Sequence, residues 1–378
     1  MTLIRSSLGS VEATSAMSTV TVTAPESVLP ALDLKTLARR AALPAALAGA
    51  ALTAIVIGGG PLQAFVHAFG RAMDADPRWV AGAAAFELLS FAGYVALLWL
   101  VGGRATDRLG LRASTEVTLG GAAATRLLPT GGAGGAAVTL WAFRRAGLEL
   151  RDAAHTLLTF LVVLYSVFLG SIAAAGGLLA LRVVSGGGPL LLSAIPAAVA
   201  TVAIGLALVL AARRPTADRP IAETLPDSSR SARASAAMRN TPDAVGAAVR
   251  DAIGLVRSGD VRLLGALAWW AFDAAVLWAM LHALGAAPSL AVMVLAYFLG
   301  QVANTIPVPG AVSGGMVGVL LAFGIEAEVA VAAVLAYRAV AIWLPAPIGL
   351  AALAGLRSTI ASWGHHAPGD LAVAPQGV

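Results

Sequence analysis

Apolar runs of membrane-spanning length alternate along this chain with short clusters of arginine. A helix rising 1.5 Å per residue needs about 20 predominantly apolar residues to cross a hydrocarbon core of about 30 Å. Runs near that length lie at 42–58, 79–101, 153–181, 190–212, 263–284 and 329–356, and they predict six spanning helices. Gly58-Gly59-Gly60-Pro61 ends the first run, and residues 62–78 read as an interfacial segment.

Two further apolar stretches are broken. Pieces at 114–128 and 136–143 flank Pro129-Thr130-Gly131-Gly132-Ala133-Gly134-Gly135. Pieces at 290–306 and 316–323 flank a break that begins Pro307-Val308-Pro309-Gly310. Each piece is too short to span, so each pair predicts a re-entrant hairpin, with two tight ordinary spans as the rival reading. Irregular backbone at membrane depth is tolerated only where protein or a water-filled cavity surrounds it.

Charge placement orients these elements. Twenty of the 25 basic residues fall on one side, which the excess of basic residues in cytoplasmic loops marks as cytoplasmic. Arg71, Arg78 and Arg182 fall on the other side, while Arg126 and Arg338 fall within membrane segments. The first hairpin has Arg-rich flanks, including Arg144 and Arg145. The second hairpin is followed by Gly324-Ile325-Glu326-Ala327-Glu328, without a base, so it is expected to enter from the opposite side. Both termini then lie in the cytoplasm. Residues 1–40 and 358–378 read as disordered tails. The first membrane half covers 41–212 with its hairpin at 113–146, and the second covers 263–357 with its hairpin at 290–323. Between them, 213–262 reads as a cytoplasmic loop holding nine arginines, with a short amphipathic helix at 241–257.

Composition narrows the class to an all-α, polytopic membrane bundle. Hydrophobic residues make up 58% of 378 positions and charged residues 12%, about half the share of a soluble domain. The net charge of +5 sits at the ends of apolar runs, which speaks for membrane topology and against nucleic acid as a partner. Cysteine is absent, which excludes disulfides and thiolate metal sites. Among the basic residues 24 are Arg and one is Lys, which with the abundant Ala points to a GC-rich bacterial genome. No signal-peptide core, zinc-protease helix, phosphate-binding lysine loop or nucleophile elbow is visible. No enzyme activity, cofactor or metal is therefore expected.

The hairpin tips resemble each other. Residues 129–143 read PTGGAGGAAVTLWAF and residues 309–323 read PGAVSGGMVGVLLAF, with Pro, Gly-Gly and Ala-Phe at equal offsets. With opposite predicted orientations, the copies make an inverted repeat, an architecture that places transporter sites at the repeat interface. Each tip is expected to restart a helix after its Gly-Gly pair, at Ala136 and Met316. The unpaired N–H groups of a first turn favour an anion, and glycines admit close approach. Gly134, Gly135, Gly310, Gly314 and Gly315 are thus candidate headgroup contacts, with Pro129, Pro307 and Pro309 as the breaks; close helix packing is the alternative role for the glycines.

Arg338 is the sharpest single residue, about 15 Å into the last run. Buried arginines pair and mark pathways. Its candidates for an ion pair are Glu87 and Asp273. Arg126 offers a second positive charge in the first hairpin, or snorkels to the headgroups. Asn304 and Gln301 line the second hairpin or bond between helices, and Glu116 reads as a solvated acid at a helix start. His155, His282 and the pair His365-His366 carry no ligand pattern.

The stretch 304–353 resembles the lysylphosphatidylglycerol synthase transmembrane, or flippase-like, family. The likeness rests on Pro307, Pro309 and Gly310; on Gly324-Ile325; on Tyr337-Arg338; and on Trp343, Pro345, Pro347 and Gly349. In the first half LLPTGGAGG and Arg144-Arg145-Ala146-Gly147 also look like the family, so the resemblance covers about 42–357. It implies lipid translocation or handling, and it adds Tyr337 to the headgroup site. Two positions depart from the family: Ala311 stands where a second Gly is usual, and Met316 where a Glu is. The soluble aminoacyl-transferring domain of the two-part synthases is not seen in this sequence. The sequence therefore predicts a bacterial plasma-membrane lipid transporter binding a phosphate-bearing, anionic headgroup between the hairpin tips. A non-transporting partner of an envelope-lipid enzyme is the alternative. A third reading, an intramembrane enzyme, would need Glu87, Asp273, Arg126 and Arg338 to converge.

Overall fold

The computed structural model describes residues 70–73, 75–127, 133–186, 188–213, 230–305 and 310–364. The expected first span at 42–58, the tails at 1–40 and 365–378, and Pro129, Pro307 and Pro309 lie outside these residues. So does the side chain of Arg126.

Among the described residues every regular element is a helix. In chain order they are α1 (Pro77–Ala105), α2 (Leu111–Leu127), α3 (Ala133–Arg145), α4 (Leu150–Ala180), α5 (Leu190–Ala212), α6 (Arg230–Arg257), α7 (Leu264–Ala283), α8 (Leu290–Val302), α9 (Ala311–Ala322), α10 (Ala327–Arg338) and α11 (Pro345–Gly364). Local chemistry sets several ends. Asp76 caps α1 by accepting from Arg78 N at 2.9 Å, with Pro77 in the first turn, where its missing N–H costs nothing. Ser289 caps α8 by accepting from Val292 N. Gly310 precedes α9 with φ 83°, a left-handed backbone that glycine adopts without strain.

Among the described residues five helical stretches are long and apolar enough to cross a membrane: Pro77–Ala105, Leu150–Ala180, Leu190–Ala212, Val261–Ala283 and Ala327–Trp363. They correspond to the predicted runs within the described residues. The broken stretches form the short pairs α2 with α3 and α8 with α9, as their lengths require. Four boundaries differ from expectation. The last helical stretch passes through a π segment, Ala339–Trp343, and continues to Gly364, so 358–364 is helix rather than tail. The helix expected at 241–257 runs from Arg230 to Arg257. The helices after the tips begin at Ala133 and Ala311, ahead of the expected Ala136 and Met316.

Glycine-mediated contact holds the bundle together, as expected where burial against lipid supplies little drive for helices to associate. At the α1/α7 crossing a methyl group on Gly265 would fall 2.2 Å from Gly93 O. On Gly176 in α4 it would meet Ser193 O at 2.7 Å in α5. On Gly349 in α11 it would meet Leu119 O at 2.6 Å in α2. Side-chain hydrogen bonds to helix carbonyls reinforce the centre: Ser90 Oγ donates to Trp269 O at 2.8 Å and Trp270 Nε1 to Leu164 O at 2.8 Å. The outer face of α5 stays bare, with Leu191, Ile195, Val199, Val202 and Leu206 exposed, as a lipid-facing helix requires.

Candidate functional site

A polar cluster sits inside the second half. Asp273 of α7 is 3% exposed, yet its carboxylate accepts hydrogen bonds from two tyrosine hydroxyls. Tyr297 of α8 donates to Oδ2, and Tyr337 of α10 donates to the same oxygen at 3.2 Å. Gln301 Nε2, one turn beyond Tyr297, donates to the Tyr337 hydroxyl at 3.3 Å. The four residues join α7, the first leg of the second broken pair, and α10. The interhelix bonding expected of Gln301 is present. Tyr297 escaped the sequence reading, although its spacing of four from Gln301 puts the two on one helical face.

Arg338 follows Tyr337 directly, at the point where α10 passes into the π segment. π turns inside α-helices recur at functional sites. The expected pairing with Asp273 or Glu87 is not made: the tyrosines engage the Asp273 carboxylate, and Arg338 forms no salt bridge or side-chain hydrogen bond among the described residues. Arg338 is half-buried. Glu87 is 1% exposed in α1.

The tip glycines divide into two kinds. Gly135 lies inside the first turn of α3, and its N–H donates to Thr125 Oγ1 at 2.7 Å. Thr125 in turn donates to Gly121 O at 3.0 Å, so α2 supplies its neighbour's cap. This donor, expected to meet a headgroup, is satisfied within the protein. A methyl group on Gly135 would approach Gly121 O to 3.2 Å, and one on Gly315 would approach Gly300 Cα to 3.2 Å. Both broken pairs therefore close on a Gly–Gly contact, and packing is what those glycines do. Gly134 is buried, whereas Gly310 and Gly314 are exposed with open space where a side chain would begin. Asn304, in the short turn that follows α8, is exposed and stands outside the tyrosine cluster.

Met316 occupies the position of the resemblance's acid. It is fully buried, and its Cγ fills the space left by the missing side chain of Gly300. Glu116 is a correction: it is not solvated. Its side chain is 12% exposed, wedged against Gly355 of α11, and accepts from Arg112 Nε at 3.1 Å. The small residue at Gly355 lets α11 close over it.

At the Arg-rich end, Asp260 caps the turn leading into α7 and receives both N–H groups of Arg262, backbone and side chain. These bonds hold its carboxyl down at about 2. The Arg262 guanidinium lies 4.8 Å over the Trp99 ring. His155 Nε2 lies 2.6 Å from Asp251, tying α4 to α6. Arg250 donates to Ala211 O and to Arg213 O, carbonyls at the end of α5. Among the described residues no cluster of metal-ligating side chains occurs.

The family described as the lysylphosphatidylglycerol synthase TM region matches residues 37–349. This chain belongs to that family. A comparison with curated proteins finds no match. Membership of the lysylphosphatidylglycerol synthase TM family identifies a multi-pass membrane protein of a lipid-related family, and the matched segment is the family's transmembrane region. Within it, Tyr337, Arg338 and the π segment lie on one continuous helical stretch that packs on both α7 and α9.

Proposed function

We propose that this protein is a lipid transporter of the flippase type, acting on lipids with a phosphate-bearing, anionic headgroup in a bacterial plasma membrane, with both termini cytoplasmic. The observation that carries the reading is Arg338. A half-buried arginine inside an apolar helical stretch, without a carboxylate partner among the described residues, calls for an anion, and the phosphate of a lipid headgroup crossing between the leaflets would supply one. The first turn of α9 beside Gly310 and Gly314 adds open backbone and the positive end of a helix dipole. In this reading the two broken pairs are re-entrant hairpins in an inverted repeat. The Asp273–Tyr297–Tyr337 cluster fixes one leg of the second hairpin to the bundle. The protein performs no covalent chemistry on the lipid. The experiment is headgroup accessibility of labelled phosphatidylglycerol in proteoliposomes: wild-type protein equilibrates the leaflets and Arg338→Ala does not. Equal rates in both would remove Arg338 from the mechanism, and no translocation of any anionic lipid would remove the function.

A second reading, a non-transporting partner of an envelope-lipid enzyme, is favoured by Met316. The resemblance's acid is replaced by a residue that the core has absorbed, and transport that needs the acid would be lost with it. A synthase that co-purifies with the wild-type chain and is lost on neutralising Arg230, Arg233 and Arg239 would support this reading.

A further inference from the structure

We infer that a groove between α1, α2 and α11 is an acyl-chain site for an anionic phospholipid of the leaflet on the Arg-rich side; this rests on the lipid-handling reading above and adds a second contact point for the lipid. The groove encloses about 420 Å³, within the usual range for ligand sites. Its floor is α1, where Leu88, Ala92, Val95 and Ala96 line it and the two alanines make it concave. Leu119 of α2 and Ile348 of α11 form its walls, and Pro345, just past the π segment, closes it.

The lining is apolar almost throughout, which selects a hydrocarbon chain and not a headgroup. The Thr115 hydroxyl bonds back to Leu111 O in its own helix, and Glu87 at the far end exposes 1% of its surface. From Leu88 to Trp99 the groove follows α1 for about 17 Å, close to half of the ~30 Å hydrocarbon core. That is the depth of one leaflet. A second protein helix would run on past the midplane, whereas a tail ends there.

The mouth supplies the charge complement. Trp99 ends the groove under the Arg262 guanidinium, a pairing of aromatic and basic groups typical of the interface. Arg112 stands one residue from the lining Leu111, with 79% of its side chain exposed and, among the described residues, only its Nε used, on Glu116. Its remaining N–H groups are available to a phosphate at headgroup height.

The test uses phosphatidylglycerol carrying a diazirine at the end of one acyl chain, in phosphatidylcholine vesicles holding the full-length chain. Photo-adducts mapped by mass spectrometry are expected to concentrate at the deep end of the groove, on residues 88–92 and 344–348, well above their density on the exposed face of α5. Ala96→Phe, or Ala96→Val if the larger side chain disturbs folding, is expected to reduce those adducts several-fold. Arg112→Gln is expected to lower the preference for phosphatidylglycerol over an equally labelled phosphatidylcholine by a few-fold. Equal adduct density on the groove and on α5 would overturn the site. So would oxidative cross-linking of Ala96→Cys to a cysteine placed in residues 42–58, or to a second copy; the native chain has no cysteine to confuse the result. Adduct mapping does not depend on translocation, so intact adducts with no leaflet exchange would sink the transport reading alone.

Discussion

Tyr297 donates its hydroxyl to the buried Asp273 carboxylate across the contact between α8 and α7, and Tyr337 donates to the same oxygen from α10. One carboxylate thereby gathers three helices. Hydrogen bonds between membrane helices contribute about 0.6 kcal/mol on average and up to about 1.7, and a charged acceptor belongs at the upper end. Tyr297→Phe is expected to destabilise by about 1–2 kcal/mol. Asp273→Ala removes the acceptor of two buried hydroxyls and should cost more. Reversible unfolding in mixed micelles measures both. Additive effects of Tyr297→Phe and Tyr337→Phe would show that the two do not share the acceptor.

The Gly93–Gly265 contact leaves no room for a side chain. Gly265→Ala is expected to cost about 1–3 kcal/mol through forced displacement of α1 from α7. Gly177→Ala is the matched control, because a methyl group there meets nothing within 4 Å. If the two variants unfold at the same denaturant concentration, close approach is not what holds this crossing.

Met316→Glu restores the acid of the family pattern at a fully buried position packed on Gly300. A charge there is expected to cost about 2–4 kcal/mol, whereas Met316→Leu should cost under about 1.5 kcal/mol. The comparison is read in the same unfolding assay. Near-wild-type stability for Met316→Glu would mean that the site admits water or a cation.

Arg338→Lys keeps the charge and loses the planar, bidentate fork, so leaflet exchange of phosphatidylglycerol should fall without vanishing, while Arg338→Ala abolishes it. Equal rates for Arg338→Lys and wild type would reduce the residue's role to point charge.

Asp260 gives a pH dependence with a definite sign. Its folded carboxyl titrates near 2, below the ordinary 3.8, because Arg262 donates to it. The pair stabilises the protein above about pH 4, and that contribution is lost as pH falls from 4 towards 2. Asp260→Asn keeps a cap for the turn and removes the titration, so its stability should vary less than wild type over that window. Parallel pH profiles for the two would refute the assignment.

Much of the bundle was legible from run length. The breaks at 129–135 and 307–310 announced two pairs of short helices, and the Gly-Gly motifs marked where they touch. What those glycines do stayed open between two roles: their spacing shows that backbone can come close but not whether the visitor is a ligand or another helix. At Gly135 the N–H is taken by Thr125 of the neighbouring helix. Glu116 was misplaced for a similar reason. A carboxylate near a helix start looks solvated until a helix more than 200 residues away in the sequence, α11 at Gly355, covers it.

The sequence by itself determined that this is a multi-pass helical membrane protein, because the length of apolar runs is set by the thickness of the hydrocarbon core and needs no partner to be read. It also isolated Arg338, because a charge inside such a run is costly wherever the helix is placed. Only the tertiary structure decided which buried groups meet. Asp273 found Tyr297 and Tyr337 and not Arg338, and the groove along Ala92 and Ala96 exists only because α2 and α11 stand on either side of it. Such pairings depend on the rotation of each helix about its own axis and on which helices become neighbours. Those are fixed by close packing across the whole bundle.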